Sequence, residues 1–209
     1  MTPGDLRDIG DFCTEQLRAH TERDWSTTAT GLDWSCRTVL EHVNNAVDRY
    51  SLYLAGRIQE RLPYGLVPYT GCDIPSLLAM LRSRAYVLAD VTSRAAATTR
   101  AYHGFGRPER TGYMAMGCIE MLIHTDDISK TFGVAMEPPA EICRAVADRL
   151  FPWGPADTDG WSALRWCTGR IDLPGRARVA PNWAWFASPL SEWDGAVKTQ
   201  ESYRGTGSR

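Results

Sequence analysis

The chain has 209 residues, a length that suits one domain with a substantial core or a domain with an extension. Its hydrophobic share of 44% and charged share of 23% are those of an ordinary globular protein, which argues against a disordered or fibrous class. The net charge is −2, and the sequence has no cluster of basic residues of the kind that indicates a nucleic-acid-binding surface. No apolar run reaches the ~18 residues that a membrane span needs.

The cysteines and the first residues indicate the compartment. The six cysteines are scattered and include no Cys-x-x-Cys pair. The start of the chain lacks the apolar core of a signal peptide. We therefore expect a cytoplasmic protein whose cysteines are free thiols or small core residues rather than a disulfide framework.

Apolar residues at helical spacing predict five helices. We expect them over residues 4–21, 36–61, 75–102, 112–132 and 139–150. Ser35 is predicted to cap the second helix, because its hydroxyl can accept from a free amide of the first turn. Asp73 or Ser76 can cap the third helix, and Gly133 ends the fourth. Long amphipathic helices joined by loops predict an all-α four-helix bundle over residues 1–150.

Residues 151–209 have a different composition from the rest of the chain. Six of the eight tryptophans lie there, at positions 153, 161, 166, 183, 185 and 193. The Leu-Pro-Gly-Arg run at 173–176 predicts a turn, and the residues beside it can form short strands. A tail of this size cannot bury so much aromatic surface alone, so we interpret it as a Trp-rich C-terminal extension packed on the bundle.

Glu120 and His124 lie four residues apart on the predicted fourth helix, so their side chains leave the same face. Their neighbours are apolar, and a buried carboxylate needs a partner that neutralises it. A divalent metal is one such partner, with His42 on the second helix as a third ligand. Two imidazoles and a carboxylate suit zinc, and three protein ligands leave a position open, as in catalytic sites. The alternative from spacing alone is a Glu–His hydrogen-bonded pair at a helix surface.

Other polar residues carry weaker signals. Asp127 can support His124 by a hydrogen bond that orients this metal-ligand candidate, or it can be a solvated charge near the helix end. His20 and His103 lie near predicted helix ends, where loop or cap roles are usual. Arg49 on the second helix can face an anionic substrate, although we favour a surface position for it.

Two motifs resemble a known family. Residues 31–42, Gly-Leu-Asp-Trp-Ser-Cys-Arg-Thr-Val-Leu-Glu-His, are similar to the start of the second helix in the DinB/YfiT-like superfamily. They resemble in particular the N-terminal domain of the mycothiol-dependent maleylpyruvate isomerase family, where a Trp-Ser/Thr pair leads into a helix that carries a ligand His. Glu120-x-x-x-His124-x-x-Asp127 resembles that family's fourth-helix motif. The resemblance covers residues 5–150 and implies a metal centre of His42, Glu120 and His124.

The resemblance also implies a chemistry. It points to a zinc-dependent S-transferase or isomerase that uses mycothiol, a low-molecular-weight thiol, on a small electrophilic substrate. Two alternatives stay open, namely a metal-dependent hydrolase on the same fold and a non-catalytic protein that binds a small ligand. The tail is similar to extensions of actinobacterial members, and its aromatic surface can cover either the bundle or a homodimer interface.

Overall fold

The computed structural model describes residues 1–63 and 69–204, and these residues form an all-helical protein without a sheet. Among them, every helix is too short or too polar to serve as a membrane span. The α-helices are α1 (Pro3–Arg18), α2 (Cys36–Ala55), α3 (Ile74–Arg94), α4 (Arg110–Thr131), α5 (Ala140–Leu150) and α6 (Gly160–Cys167). Two short 3-10 helices follow, at Leu190–Glu192 and Gln200–Tyr203.

The predicted helix ends are confirmed where local chemistry sets them. Ser35 caps α2 and accepts a hydrogen bond from the Thr38 amide at 3.1 Å. Asp73, rather than Ser76, caps α3, because its carboxylate accepts from the Ser76 amide at 2.8 Å. Gly133 follows the last residues of α4 with a φ of 77°, the left-handed conformation that ends many helices.

Helices α2 and α3 are shorter than predicted. The prediction carried α2 to residue 61, but Gly56 caps it, with its amide bonded to the Leu52 carbonyl. The prediction carried α3 to residue 102, but the chain becomes extended at Ala95. The amide of Tyr102 instead donates to the carbonyl of Ile58 at 2.7 Å. A bond between two loops that are distant in the sequence therefore replaces the last predicted turns of α3.

The C-terminal extension contains a helix that the sequence prediction missed. Asp159 caps α6 through a 2.9 Å hydrogen bond from the Ser162 amide. Gly160 permits close packing on α5, because a Cβ at this position would lie 2.3 Å from the backbone nitrogen of Arg144. The predicted turn at 173–176 is present, but the strands predicted beside it are wrong for the described residues, which form only isolated bridges.

Helix α4 occupies the centre of the molecule. It contacts α1, α2, α3, α5 and α6, whereas α1 and α2 each also pack against α3. None of its residues is fully exposed. Its buried apolar side chains meet those of the surrounding helices in one core, which includes Leu6, Ile9, Val43, Leu88, Met116 and Leu122. A polar side chain on α4 therefore has to find its partners inside the protein.

Arg149 joins α5, α4 and the extension. Its guanidinium donates to the Glu109 carboxylate at 2.9 Å, directly before α4, and both side chains are largely buried. It also donates to the carbonyls of Phe186 and Ala187, at 3.3 and 2.8 Å. This one side chain satisfies a buried carboxylate and two backbone acceptors, so it fixes the segment around Phe186 against the helices.

Gly10 and Gly4, both on α1, provide a test of the close approach of α1 to α3. A Cβ on Gly10 would lie 2.6 Å from the Cβ of Ala85, which cannot rotate away. We expect Gly10→Ala to lower the free energy of unfolding by about 1–3 kcal/mol, despite the higher helix propensity of alanine. The matched change Gly4→Ala meets only Thr2 Oγ1 at 3.4 Å. It should raise that free energy by about 0.5 kcal/mol. Urea unfolding measures the free energy of unfolding of both variants. Equal changes in the two variants would contradict close packing at Gly10.

Candidate metal centre

The structure brings the three predicted ligands together. His42 comes from α2, and Glu120 and His124 come from neighbouring turns of α4. Glu120 Oε2 lies 3.5 Å from His42 Nε2 and 3.5 Å from His124 Nε2. The three ligand atoms all lie within 4.8 Å of one another, and the Glu120 side chain is only 10% exposed. This group can hold a metal ion.

The spacing of the donor atoms fits a metal better than a hydrogen-bonded pair. A separation of 3.5 Å is longer than the ~2.7–3.2 Å of a good N–H···O hydrogen bond. Two ligands bound at about 2.0–2.1 Å to one tetrahedral ion lie about 3.3 Å apart. The donor set of two imidazoles and one carboxylate is typical of catalytic sites for zinc and similar divalent ions. The residues present therefore fit the metal that the sequence resemblance implies.

Tyr50 holds the other oxygen of the carboxylate. Its hydroxyl donates to Glu120 Oε1 at 2.8 Å, which leaves Oε2 facing the two imidazoles. Tyr50 is a site residue that was not predicted from the sequence. The signal was present, because positions 42, 46 and 50 lie on one face of α2 at successive turns.

Asp127 orients His124 from the side opposite to Glu120. Its Oδ2 lies 3.1 Å from His124 Nδ1, and Asp127 is only 2% exposed. The alternative of a solvated charge at the helix end is therefore wrong. Arg170, which follows α6, donates to both carboxylate oxygens of Asp127, at 3.0 and 3.3 Å. The extension thus reaches the candidate metal centre through Arg170, a contact that no local sequence pattern indicates.

Burial and neighbouring polar groups shift the pKa values of Glu120 and His124 in opposite directions. Burial by itself raises the pKa of Glu120, but the adjacent imidazoles of His124 and His42 outweigh it and hold that pKa well below its usual value. Burial disfavours a charged His124, yet the hydrogen bond with Asp127 and the nearby carboxylate of Glu120 raise its pKa to about 9. The pKa of Tyr50 is raised well above its usual value by burial and by Glu120, so its hydroxyl remains a donor. An incoming metal ion would displace the proton on His124.

The other histidines do not join the group. His20 packs against the ring of Phe132, with the centroids 5.9 Å apart. His103 stacks on Trp185 at 5.7 Å and accepts a 3.1 Å hydrogen bond from the Phe105 amide at its Nδ1. All six cysteines are free thiols, as predicted.

Two cavities meet at the group of His42, Glu120 and His124. The first, here called the tyrosine chamber, has a volume of about 330 Å³, and its lining includes Arg49, Tyr50, Tyr53, Arg61, Tyr102 and His103. The second, here called the tryptophan chamber, has a volume of about 630 Å³, and its lining includes Asp33, Trp34, Ile123, His124, Arg170 and Trp183. His42, Glu120, Phe105 and Trp185 line both chambers. We favoured a surface position for Arg49 from the sequence, and the structure adds that this side chain forms part of a cavity wall.

Comparison with protein-family models, with curated proteins and with solved structures finds no match in any of the three. The function of this chain therefore has to follow from its own residues. Those residues provide a buried three-ligand group, hydrogen-bonded support for two of the ligands, and two chambers that share the group.

Two adjacent aspartates test the support of His124. We expect Asp127→Asn to weaken zinc binding by about 10- to 100-fold, because the imidazole loses the carboxylate that orients it. Asp126→Asn is the matched control, since Asp126 is 1% exposed on the same helix but pairs with Lys130 at 2.6 Å. Its zinc affinity should stay within about twofold of the unchanged protein. Competition titrations with a chelating dye measure both, and equal losses would contradict the specific role of Asp127.

His103 should make the fold sensitive to acid. Burial lowers its pKa to about 4, with Glu120 opposing and Arg49 reinforcing this shift, against an unperturbed value of 6.5. Between pH 6.5 and pH 4 the unfolded chain therefore binds a proton on His103 that the folded chain does not. The free energy of unfolding thus decreases as the pH is lowered through that window. His103→Gln should make the decrease in the free energy of unfolding smaller by on the order of 2 kcal/mol. Urea unfolding at pH 7 and at pH 4.5 measures this decrease in the variant and in the unchanged protein. Equal decreases in the two proteins would contradict the role of His103.

Proposed function

We propose that this chain is a DinB-like, metal-dependent S-transferase or isomerase that uses mycothiol on a small electrophilic substrate. In this proposal α1–α4 are the four-helix bundle of a domain over residues 1–150, and residues 151–209 are its Trp-rich extension. The observation that carries the proposal is the convergence of His42, Glu120 and His124 where the two chambers meet. The resemblance of residues 31–42 and 120–127 to the mycothiol-dependent family supports the same chemistry.

His42, Glu120 and His124 would hold the metal, which we propose to be Zn²⁺. When bound, such an ion lowers the pKa of a thiol beside it, so that the nucleophilic thiolate forms at neutral pH. Tyr50 keeps one carboxylate oxygen of Glu120 engaged, and Asp127 keeps the imidazole of His124 in one orientation. Preorganised ligands of this kind lose little conformational entropy when they bind an ion.

The two chambers suit a reaction of two molecules. Phe105 and Trp185 line both chambers beside the ligands. We assign the larger tryptophan chamber to the thiol and the smaller tyrosine chamber to the electrophile. In transfer, the sulfur forms a bond to an electrophilic carbon and the leaving group departs with its electron pair. In isomerisation, the sulfur adds to one carbon of a conjugated double bond, which becomes a single bond. Rotation about that single bond follows, and the C–S bond then breaks so that the double bond forms again in the other geometry.

Metal content tests the first part of the proposal. Protein purified without chelators should carry about one divalent ion per chain, as expected for a three-ligand site. His42→Ala and His124→Ala should each lose it, because two ligands do not retain an ion against water. His20→Ala is the control, since His20 lies outside the group. Plasma mass spectrometry gives the ratio, and an ion retained in both ligand variants would place the metal elsewhere.

Thiol dependence tests the second part of the proposal. The zinc-loaded chain should bind mycothiol in calorimetry and should couple it to chlorodinitrobenzene, with a C–S bond formed and chloride released. His124→Ala should lose the coupling because the thiol is no longer held as thiolate. Ester hydrolysis without any thiol would instead favour the hydrolase. Absence of thiol binding by metal-loaded protein would contradict the proposed transferase.

A further inference from the structure

We infer that Trp34 is a positioning residue of the candidate metal centre. Its indole orients the imidazole of His42, a task that a hydrogen bond performs for the other two ligand candidates. This inference rests on the metal site of the proposed function and adds a residue to it. It does not depend on the thiol or on the reaction.

The three ligand candidates are not supported alike. Tyr50 donates to the carboxylate of Glu120, and Asp127 binds the Nδ1 atom of His124. The Nδ1 atom of His42 is buried and, in the part of the chain that the structure describes, makes no hydrogen bond. An imidazole that binds a metal through one nitrogen is usually oriented by a hydrogen bond at the other. The orientation of His42 therefore depends on a different kind of contact.

Trp34 provides that contact. Its indole packs on the imidazole of His42, with the ring centroids 5.2 Å apart and the planes at 54°. The other ring beside His42 is the imidazole of His124, with the centroids 5.1 Å apart. The χ2 torsion of histidine has a broad energy profile, so a neighbouring ring can decide which way the imidazole faces. Packing on Trp34 restricts this torsion while Nε2 of His42 lies 3.5 Å from Glu120 Oε2.

Backbone hydrogen bonds fix the position of Trp34. Its carbonyl accepts from the amide of Ala29 at 2.8 Å, which closes a loop over residues 29–34. Within that loop, the amide of Thr30 donates to Oγ1 of Thr131 at 2.8 Å, and Thr131 is the last residue of α4. The loop that carries Trp34 is therefore tied to the helix that carries the other two ligand candidates.

The hydrophobic core does not account for Trp34. Its side chain is 43% exposed and lies outside the cluster of buried apolar residues. An indole that stays this exposed contributes little to stability through burial. It does line the tryptophan chamber, so the side chain that packs on His42 is also part of a cavity wall. Removal of this indole should therefore affect metal binding more than folding.

Zinc affinity, measured by competition with a chelating dye, tests the inference. We expect Trp34→Ala to weaken zinc binding about 3- to 10-fold, the effect of losing one aromatic pair. Trp34→Phe keeps a ring beside His42 and should stay within about twofold of the unchanged protein. Leu190→Ala is the matched control and should have no effect, because Leu190 is 44% exposed but lies on a 3-10 helix of the extension. Urea unfolding of the metal-free variants checks that each one folds.

The visible absorption of the Co²⁺-loaded chain gives a second readout, because it reports the geometry of the ligands around the ion. Trp34→Ala should change this absorption, since the imidazole of His42 is no longer held in one orientation. Trp34→Phe and Leu190→Ala should leave it as in the unchanged protein. A role of Trp34 in stability alone would lower the free energy of unfolding without altering the spectrum.

Two results would overturn the inference. The first is an unchanged zinc affinity in Trp34→Ala, and the second is an equal loss of affinity in Trp34→Ala and Leu190→Ala. Either result would leave the proposed metal site in place. A chain that binds no zinc would refute the metal site and this inference together. The expected zinc affinities without any thiol coupling would refute only the transferase.

Discussion

The carboxylate of Glu120 is the group on which the arrangement of the site depends. It lies on α4, the helix that contacts every other α-helix, and its side chain is only 10% exposed. An ionised carboxylate in such a place is costly unless polar partners surround it. Tyr50 and His42 from α2 and His124 from α4 are those partners. The need to satisfy one buried charge therefore orients α2 relative to α4 and brings two imidazoles to the same oxygen.

Buried ion pairs near both ends of α4 help to hold the extension, one through Arg149 of α5 and one through Arg170 of the extension itself. Arg149 binds Glu109, the residue before the first turn of α4, together with two backbone carbonyls of the extension. Arg170 binds Asp127, one turn before the last residue of α4. Breaking a buried pair by removing one partner leaves an unpaired charge, which is strongly destabilising. These pairs keep the extension in place, so that Trp185 lines both chambers beside the metal ligands.

The two chambers give the candidate metal centre an asymmetric environment. On one side, arginine side chains and hydroxyl and imidazole donors surround a small cavity with aromatic walls. On the other side, a larger cavity is lined by Asp33 and Glu120 as well as Arg170, and the guanidinium of Arg170 is already engaged by Asp127. The two cavities beside His42 and Glu120 therefore differ in size and in the charges of their walls.

The sequence by itself determined the elements whose signals are local. The five predicted helices, the Ser35 cap, the glycine after α4 and the shared face of Glu120 and His124 follow from spacing within a few residues. Only the tertiary structure showed that α3 stops at Arg94, before an extended Ala95, and that the Tyr102 amide donates to the Ile58 carbonyl of a distant loop. It also decided the partners of the site, since Tyr50 meets Glu120 across two helices and Arg170 meets Asp127 from the extension. Such contacts depend on how buried charges are satisfied across the whole fold, and no short sequence pattern encodes that.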